Sequence, residues 1–192
     1  MKNMSLIIGK KINVVSAHDY IREKARIVSV ARAQEYKTRL GGLKEETIFK
    51  NVFYGFLAEY SVWMLIKENI QCDYISDPDF DLHENNNHPC DLLVAIDGKE
   101  FSVSVKCCSG VAKDKASWVY QADRLPMNES LHFLVFGYLQ PESDYCEIKY
   151  PPAIFEVFAI KTPEQIKTNL KKTRKPSVGK MAVYYEDINN GN

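Results

Sequence analysis

Residues 91–106 read DLLVAIDGKEFSVSVK. Two runs that alternate between the faces of a strand are joined by Asp97-Gly98, a dipeptide that accepts the positive φ values of a tight turn, and the stretch predicts a β-hairpin. With a two-residue turn Ile96 faces Lys99, and the register that follows sets Asp91 opposite Ser104. Side chains alternate along a strand. Leu92, Val94, Ile96, Phe101, Val103 and Val105 therefore form one apolar face, and Asp91, Ser104 and Lys106 share the other. A carboxylate at the start of one strand and an ammonium at the end of its partner are thus held on a rigid local scaffold.

Working outward, the chain before the hairpin reads as helical. SAHDYIREKARIVSVARAQEYKTRLGG has Ser16 as an N-cap and Asp19 at the capping-box position, and it stops at Gly41 and Gly42. A second helix begins near Glu45 or Glu46 and runs to about Asn69. After the hairpin, KDKASWVYQADRL reads as a loop leading into a short helix, and SLHFLVFGYL as a buried strand. Strands are also expected at AIFEVFAI and MAVYYE. Between these two, a helix is expected over PEQIKTNLKK, with Thr162 as its cap and Pro163 at its first position. The order implies an α/β or α+β domain with a central mixed β-sheet flanked by helices. A chain of 192 residues fits one such domain: a helical part at 16–69, the core hairpin at 91–106 and a basic segment at 161–180.

Composition narrows the partners less than charge placement does. Lysine and arginine balance aspartate and glutamate at 25 each, so no global charge argues for a polyanion or a membrane. From Cys72 to Glu100, however, the net charge is about −7, and from Lys161 to Lys180 it is about +6. The first block suits cation binding. In the second, Lys171, Lys172, Arg174 and Lys175 cluster beside a turn and are candidates for gripping phosphates. Five cysteines and no run resembling a signal peptide lead to the expectation of a reduced, cytoplasmic protein. No stretch approaches the roughly 20 apolar residues that span a bilayer, so a membrane role is not expected.

Glu59 stands out in the second helix. At about 100° per residue it falls among Val52, Gly55, Phe56, Val62, Trp63 and Ile66, within the apolar face. An unpaired carboxylate in such a position is costly, which calls for a cation, a metal or a hydrogen-bond donor beside it.

Glu59 in a helix, Asp91 opening one strand of a hairpin and Lys106 ending the next resemble the PD-(D/E)xK nuclease superfamily, the fold of many type II restriction enzymes and of phage and recombination nucleases. The likeness covers about residues 45–125, with a continuation in the strands at 131–139 and 154–160. It implies a restriction-endonuclease-like core and a metal-dependent endonuclease hydrolysing DNA phosphodiester bonds, of restriction or phage type. Magnesium or manganese would be held by Asp91 with Glu59 in support, and Lys106 would position or activate the attacking water. Cutting both strands of a duplex would favour a homodimer.

Two departures qualify the resemblance. Cys90 separates Pro89 from Asp91, and Ser104 stands where an acid is expected, which gives Ser-Val-Lys. A hydroxyl is a weaker ligand for a hard cation than a carboxylate. Glu59, Glu100, Asp114 and Asp123 are candidates to supply the missing charge. Without one, the chain would be a catalytically inactive nucleic-acid-binding module of the same fold. An RNA nuclease or a nucleotide-processing enzyme is a further alternative. Pro78-Asp79 is a rival for the aspartate, ranked second because the hairpin turn itself aligns Asp91. Ser117 to Gln121 resembles the helix that follows the lysine in such nucleases. Cys90, Cys107 and Cys108 with His83, His88 and His132 lack zinc-site spacing, and the acidic run from Asp73 to Glu84 lacks the pattern of a calcium loop.

Overall fold

The computed structural model describes residues 3–39, 45–81, 90–109, 116–121, 132–141, 153–172 and 180–189. Two long helices come early, α1 (His18–Arg39) and α2 (Glu45–Asn69). Among the described residues, nine strands follow in the order β1 (Lys11–Asn13), β2 (Tyr74–Ile75), β3 (Leu92–Ile96), β4 (Lys99–Ser109), β5 (Ser117–Gln121), β6 (His132–Pro141), β7 (Ala153–Lys161), β8 (Lys171–Lys172) and β9 (Lys180–Tyr184). Two short helices, α3 (Pro163–Thr168) and α4 (Tyr185–Asn189), lie near the C-terminal end.

The hairpin forms with the expected register, from Ile96↔Lys99 to Leu92↔Val103. Asp97 and Gly98 have φ of 51° and 68°, the left-handed conformation that lets a two-residue turn match strand twist. Asp73 holds the turn, its Oδ2 accepting from the Gly98 N–H at 2.9 Å. Leu92, Val94, Ile96, Val103 and Val105 are buried as the alternation predicts, with Phe101 packed against them.

The hairpin belongs to a six-stranded sheet in the order β1-β7-β6-β4-β3-β2. Every neighbouring pair is antiparallel except β4 and β6, which run parallel from Ser102↔His132 to Ser109↔Leu139. The sheet is therefore mixed. Against one face lie α1 and α2, whose Ile21, Val28, Phe53, Leu57, Leu65 and Ile66 bury with Val103, Val135, Phe155 and Val157. Opposite parity on the same strands sends Leu134, Phe136 and Tyr138 to the other face, where they meet Trp118, Ile166, Val183 and Ile188. A β-bulge between Phe136 and Gly137 shifts the β6–β7 register. Gly137 sits where an added Cβ would run into the Phe155 ring, so this close approach of β6 to β7 needs the missing side chain.

Four sequence expectations change. Ser117 to Gln121 is a strand, not a helix: β5 pairs antiparallel with β9, and β9 with β8, in a separate three-stranded sheet. That sheet, together with α3 and α4, covers the face where only helices were expected. Ser16 is not a simple N-cap, because a 3-10 turn over Val15–Ala17 leads directly into α1. Finally, α3 stops at Thr168 and Lys171-Lys172 becomes a strand, although its start is as expected: Thr162 and Gln165 form a reciprocal capping box with Pro163 at the first position. Among the described residues, no helix is long and apolar enough to cross a membrane.

Candidate active site

β3 ends early relative to its partner. The ladder closes at Leu92↔Val103, whereas β4 continues to Ser109. Asp91 stands at this step. Its N–H donates to the Val103 carbonyl at 2.9 Å, and its Oδ2 accepts from the Val105 N–H at 2.5 Å. The carboxylate thus takes the place of the next main-chain acceptor in the ladder. This moves it out of the Asp91–Ser104 pairing that a regular hairpin would make, since the side chain is turned along the sheet edge to reach Val105.

Glu59 comes to the same place from α2. The helix presents Val52, Phe56, Val62 and Ile66 to the sheet, and Glu59 is half-buried on that side. Its carboxyl group is held well above the usual glutamate range, chiefly by burial and next by the negative charge of Asp91. Lys106 and Arg32 oppose the shift, and Asp79 adds to it. Two carboxylates and two cations are therefore close enough to act on one another, with Asp79 exposed beside them. A like charge nearby disfavours ionisation and an opposite charge favours it. Cys107, half-buried next to Lys106, feels the same groups: desolvation first, then Cys108 and Glu59, push its thiol up to about 12. Its Sγ donates to the Tyr54 carbonyl of α2 at 3.6 Å, which ties the helix to β4 at the site.

Ser104 points elsewhere. Val103 and Val105 face the helices, so Ser104 lies on the opposite side of β4, in register with Leu134. Its hydroxyl shares a 3.1 Å hydrogen bond with Nε2 of His132, which is only 1% exposed. Lys161 is buried on this same face, one strand beyond Leu134. Lys106 has the same parity as Ser104 and lies in register with Phe136, but it stands beyond the end of β3, and its charge is felt at Glu59.

Of the four residues singled out for catalysis, Asp91 and Lys106 lie within electrostatic reach of Glu59, and Ser104 is engaged on the far face. Glu100 pairs with Ala95 close to the hairpin turn, away from the step at Asp91, while Asp114 and Asp123 lie outside the described residues. Among the described residues, no three His, Cys, Asp or Glu side chains gather as a metal-holding group. In the basic segment, Lys171 is ion-paired at 2.5 Å with Asp187, whose side chain is 12% exposed, and Lys172 is paired with Met181 in β8. Arg174 and Lys175 lie outside the described residues.

Sequence reasoning missed Arg32 and ranked Asp79 second. A signal for Arg32 existed: it follows Ala25 and Val28 by seven and four residues, and both are buried, so it shares the inward stripe of α1. Asp79 carries no periodicity, because it lies in a loop where its Oδ1 accepts from the Asp81 N–H at 3.0 Å. Comparisons of the chain with protein-family models, with curated proteins and with solved structures find no match.

Proposed function

We propose that the protein is a metal-dependent endonuclease hydrolysing DNA phosphodiester bonds, with Glu59, Asp91 and Lys106 as its working groups. The observation that carries this reading is that Glu59 of α2 lies within electrostatic reach of Asp91, just before β3, and of Lys106 and Arg32. The order of elements supports it, since a helix bearing a glutamate precedes a hairpin bearing the aspartate and the lysine, as in the resemblance to PD-(D/E)xK nucleases. The restriction-endonuclease-like core is part of this proposal.

The donor set fits magnesium. That ion is bound through one or two carboxylates together with water and substrate phosphate oxygens, and it needs no all-protein cage. Glu59 and Asp91 would hold it, and a cation between them would relieve the repulsion that keeps the Glu59 proton in place. When bound, it supplies Lewis-acid stabilisation of the charge that builds on the phosphoryl oxygens.

The chain's own groups do the remaining work. Burial and the charge of Asp91 raise the pKa of Glu59, and its ionised form would be an anionic oxygen donor. Lys106 and Arg32 bring two positive charges to a site that a phosphodiester must enter with its own negative charge. Their attraction both draws the substrate and offsets charge developing on the phosphoryl group. Lys106, near the end of β4, would orient the attacking water or hold the hydroxide. The Val105 N–H keeps the Asp91 carboxylate in one orientation.

A second reading is favoured by Ser104. Its hydroxyl is committed to His132, and no third acid joins Glu59 and Asp91 as a metal-holding group among the described residues. This suits a nucleic-acid-binding module of the same fold without catalysis. A cleavage assay with magnesium on single-stranded DNA, duplex DNA and RNA, using wild type, Asp91→Ala and Lys106→Ala, separates the readings. DNA cleavage lost in both variants is expected. Binding without cleavage by the wild type favours the module, and cleavage that survives both substitutions overturns the site.

A further inference from the structure

A cavity of about 390 Å³ opens beside the candidate site, bounded by Lys50, Asn51 and Tyr54 of α2, Cys107 of β4, Leu139 of β6 and Ala153 of β7. Its floor is apolar, since Leu139 and Ala153 are buried, and its rim is polar, since Lys50 and Asn51 are exposed. That size, with apolar walls and a few convergent polar groups, characterises a small-molecule site. Its position ties it to the charged cluster in two ways. Cys107, which lines it, directly follows Lys106 in β4 and senses Glu59 and Asp91. Along α2, Tyr54 precedes Glu59 by five residues, about 7.5 Å at the rise of an α-helix.

We propose that this cavity receives one unpaired nucleotide of a single-stranded DNA substrate, its base against Tyr54 and Leu139 and its outer phosphate on Lys50. The choice of a nucleotide rests on the nuclease reading; the rest follows from the lining. A base has an apolar π-face for which an aromatic side chain is a sequence-tolerant platform. The Asn51 amide offers both a donor and an acceptor to a base edge. Lys50 at the rim puts a positive charge at the mouth of the cavity, where the phosphate of a nucleotide would lie. A base can enter such a cavity only when it is out of the duplex stack, so the site selects single strands or frayed ends over intact duplex.

The test is a binding titration of the full chain in EDTA, followed by backbone amide chemical shifts, with thymidine 5′-monophosphate, a short oligothymidylate and a duplex of the same length. The shifts are expected at residues 50, 51, 54, 107 and 139, and the single strand is expected to bind more tightly than the duplex. Lys50→Glu, at an exposed helix position, and Tyr54→Leu, which keeps an apolar side chain, should each weaken oligothymidylate binding on the order of tenfold. Shifts confined to other surfaces, equal affinity for duplex, or affinity untouched by Lys50→Glu would overturn the proposal. Magnesium-dependent cleavage measured in parallel keeps the two readings apart. Cavity binding without cleavage refutes the nuclease alone, and cleavage with a silent cavity refutes the nucleotide subsite alone.

Discussion

Replacing Glu59 with glutamine should change how stability depends on pH. Folding holds the Glu59 carboxyl above the usual glutamate range, through burial and the charge of Asp91. The folded protein therefore binds this proton more tightly than the unfolded chain does. Below the ordinary glutamate value of about 4.3 both states are protonated and the full contribution to stability is present. As pH rises from there, the unfolded chain releases the proton while the folded protein retains it, and stability falls until the folded group itself ionises. One group contributes a slope of at most about 1.4 kcal/mol per pH unit in that window. For a chain of this size that corresponds to roughly 3–6 °C in Tm per pH unit. Glutamine keeps the shape and removes the titration. Urea denaturation of wild type and Glu59→Gln at pH 5, 6, 7 and 8 should show the wild type losing stability relative to the variant as pH rises, with the difference levelling off above the folded pKa. Adding Asp91→Asn removes the neighbouring negative charge and should move that levelling point to lower pH. Parallel curves for wild type and Glu59→Gln across this range would refute the burial and the meeting of the two carboxylates together.

Other substitutions probe the remaining contacts. Gly137→Ala forces a methyl group into the Phe155 ring beside the β-bulge and should cost about 1–3 kcal/mol; an unchanged urea midpoint would contradict the packing of β6 on β7. Ser104→Ala deprives the buried His132 of its hydroxyl partner, so stability should drop by about 1–3 kcal/mol while cleavage is kept, whereas intact stability with lost cleavage would return Ser104 to the catalytic site. Because Lys171 is occupied by Asp187, Lys172→Ala should weaken DNA binding more than Lys171→Ala in a low-salt filter-binding or anisotropy titration, and the reverse ranking would show that the ion pair opens on DNA.

The parts of the fold that were readable share a short range. The hairpin register follows from Asp97-Gly98 and a period of two, and the α3 cap from Thr162, Pro163 and Gln165, all set by neighbours within a few positions. The inward direction of Glu59 was readable from the wheel of α2 alone. Readings that depended on distant partners failed. Ser-Trp-Val-Tyr-Gln is compatible with a strand, but only pairing with Lys180–Tyr184 makes it one. The regular register placed Ser104 opposite Asp91, yet the side chain of Asp91 takes a ladder bond from Val105 and stops β3 a residue short.

By itself the sequence determined the hairpin, the two long helices and the presence of a carboxylate on an inward helix face, because turn chemistry and hydrophobic period act locally. Only the tertiary structure decided which charges meet. Arg32 acts electrostatically on Glu59 because α1 packs on α2, Lys106 because β4 outruns β3, and Ser104 leaves the cluster because His132 arrives on the parallel strand beside it. Coulomb interactions and hydrogen bonds depend on distance in space, and sequence spacing does not carry that distance across a sheet.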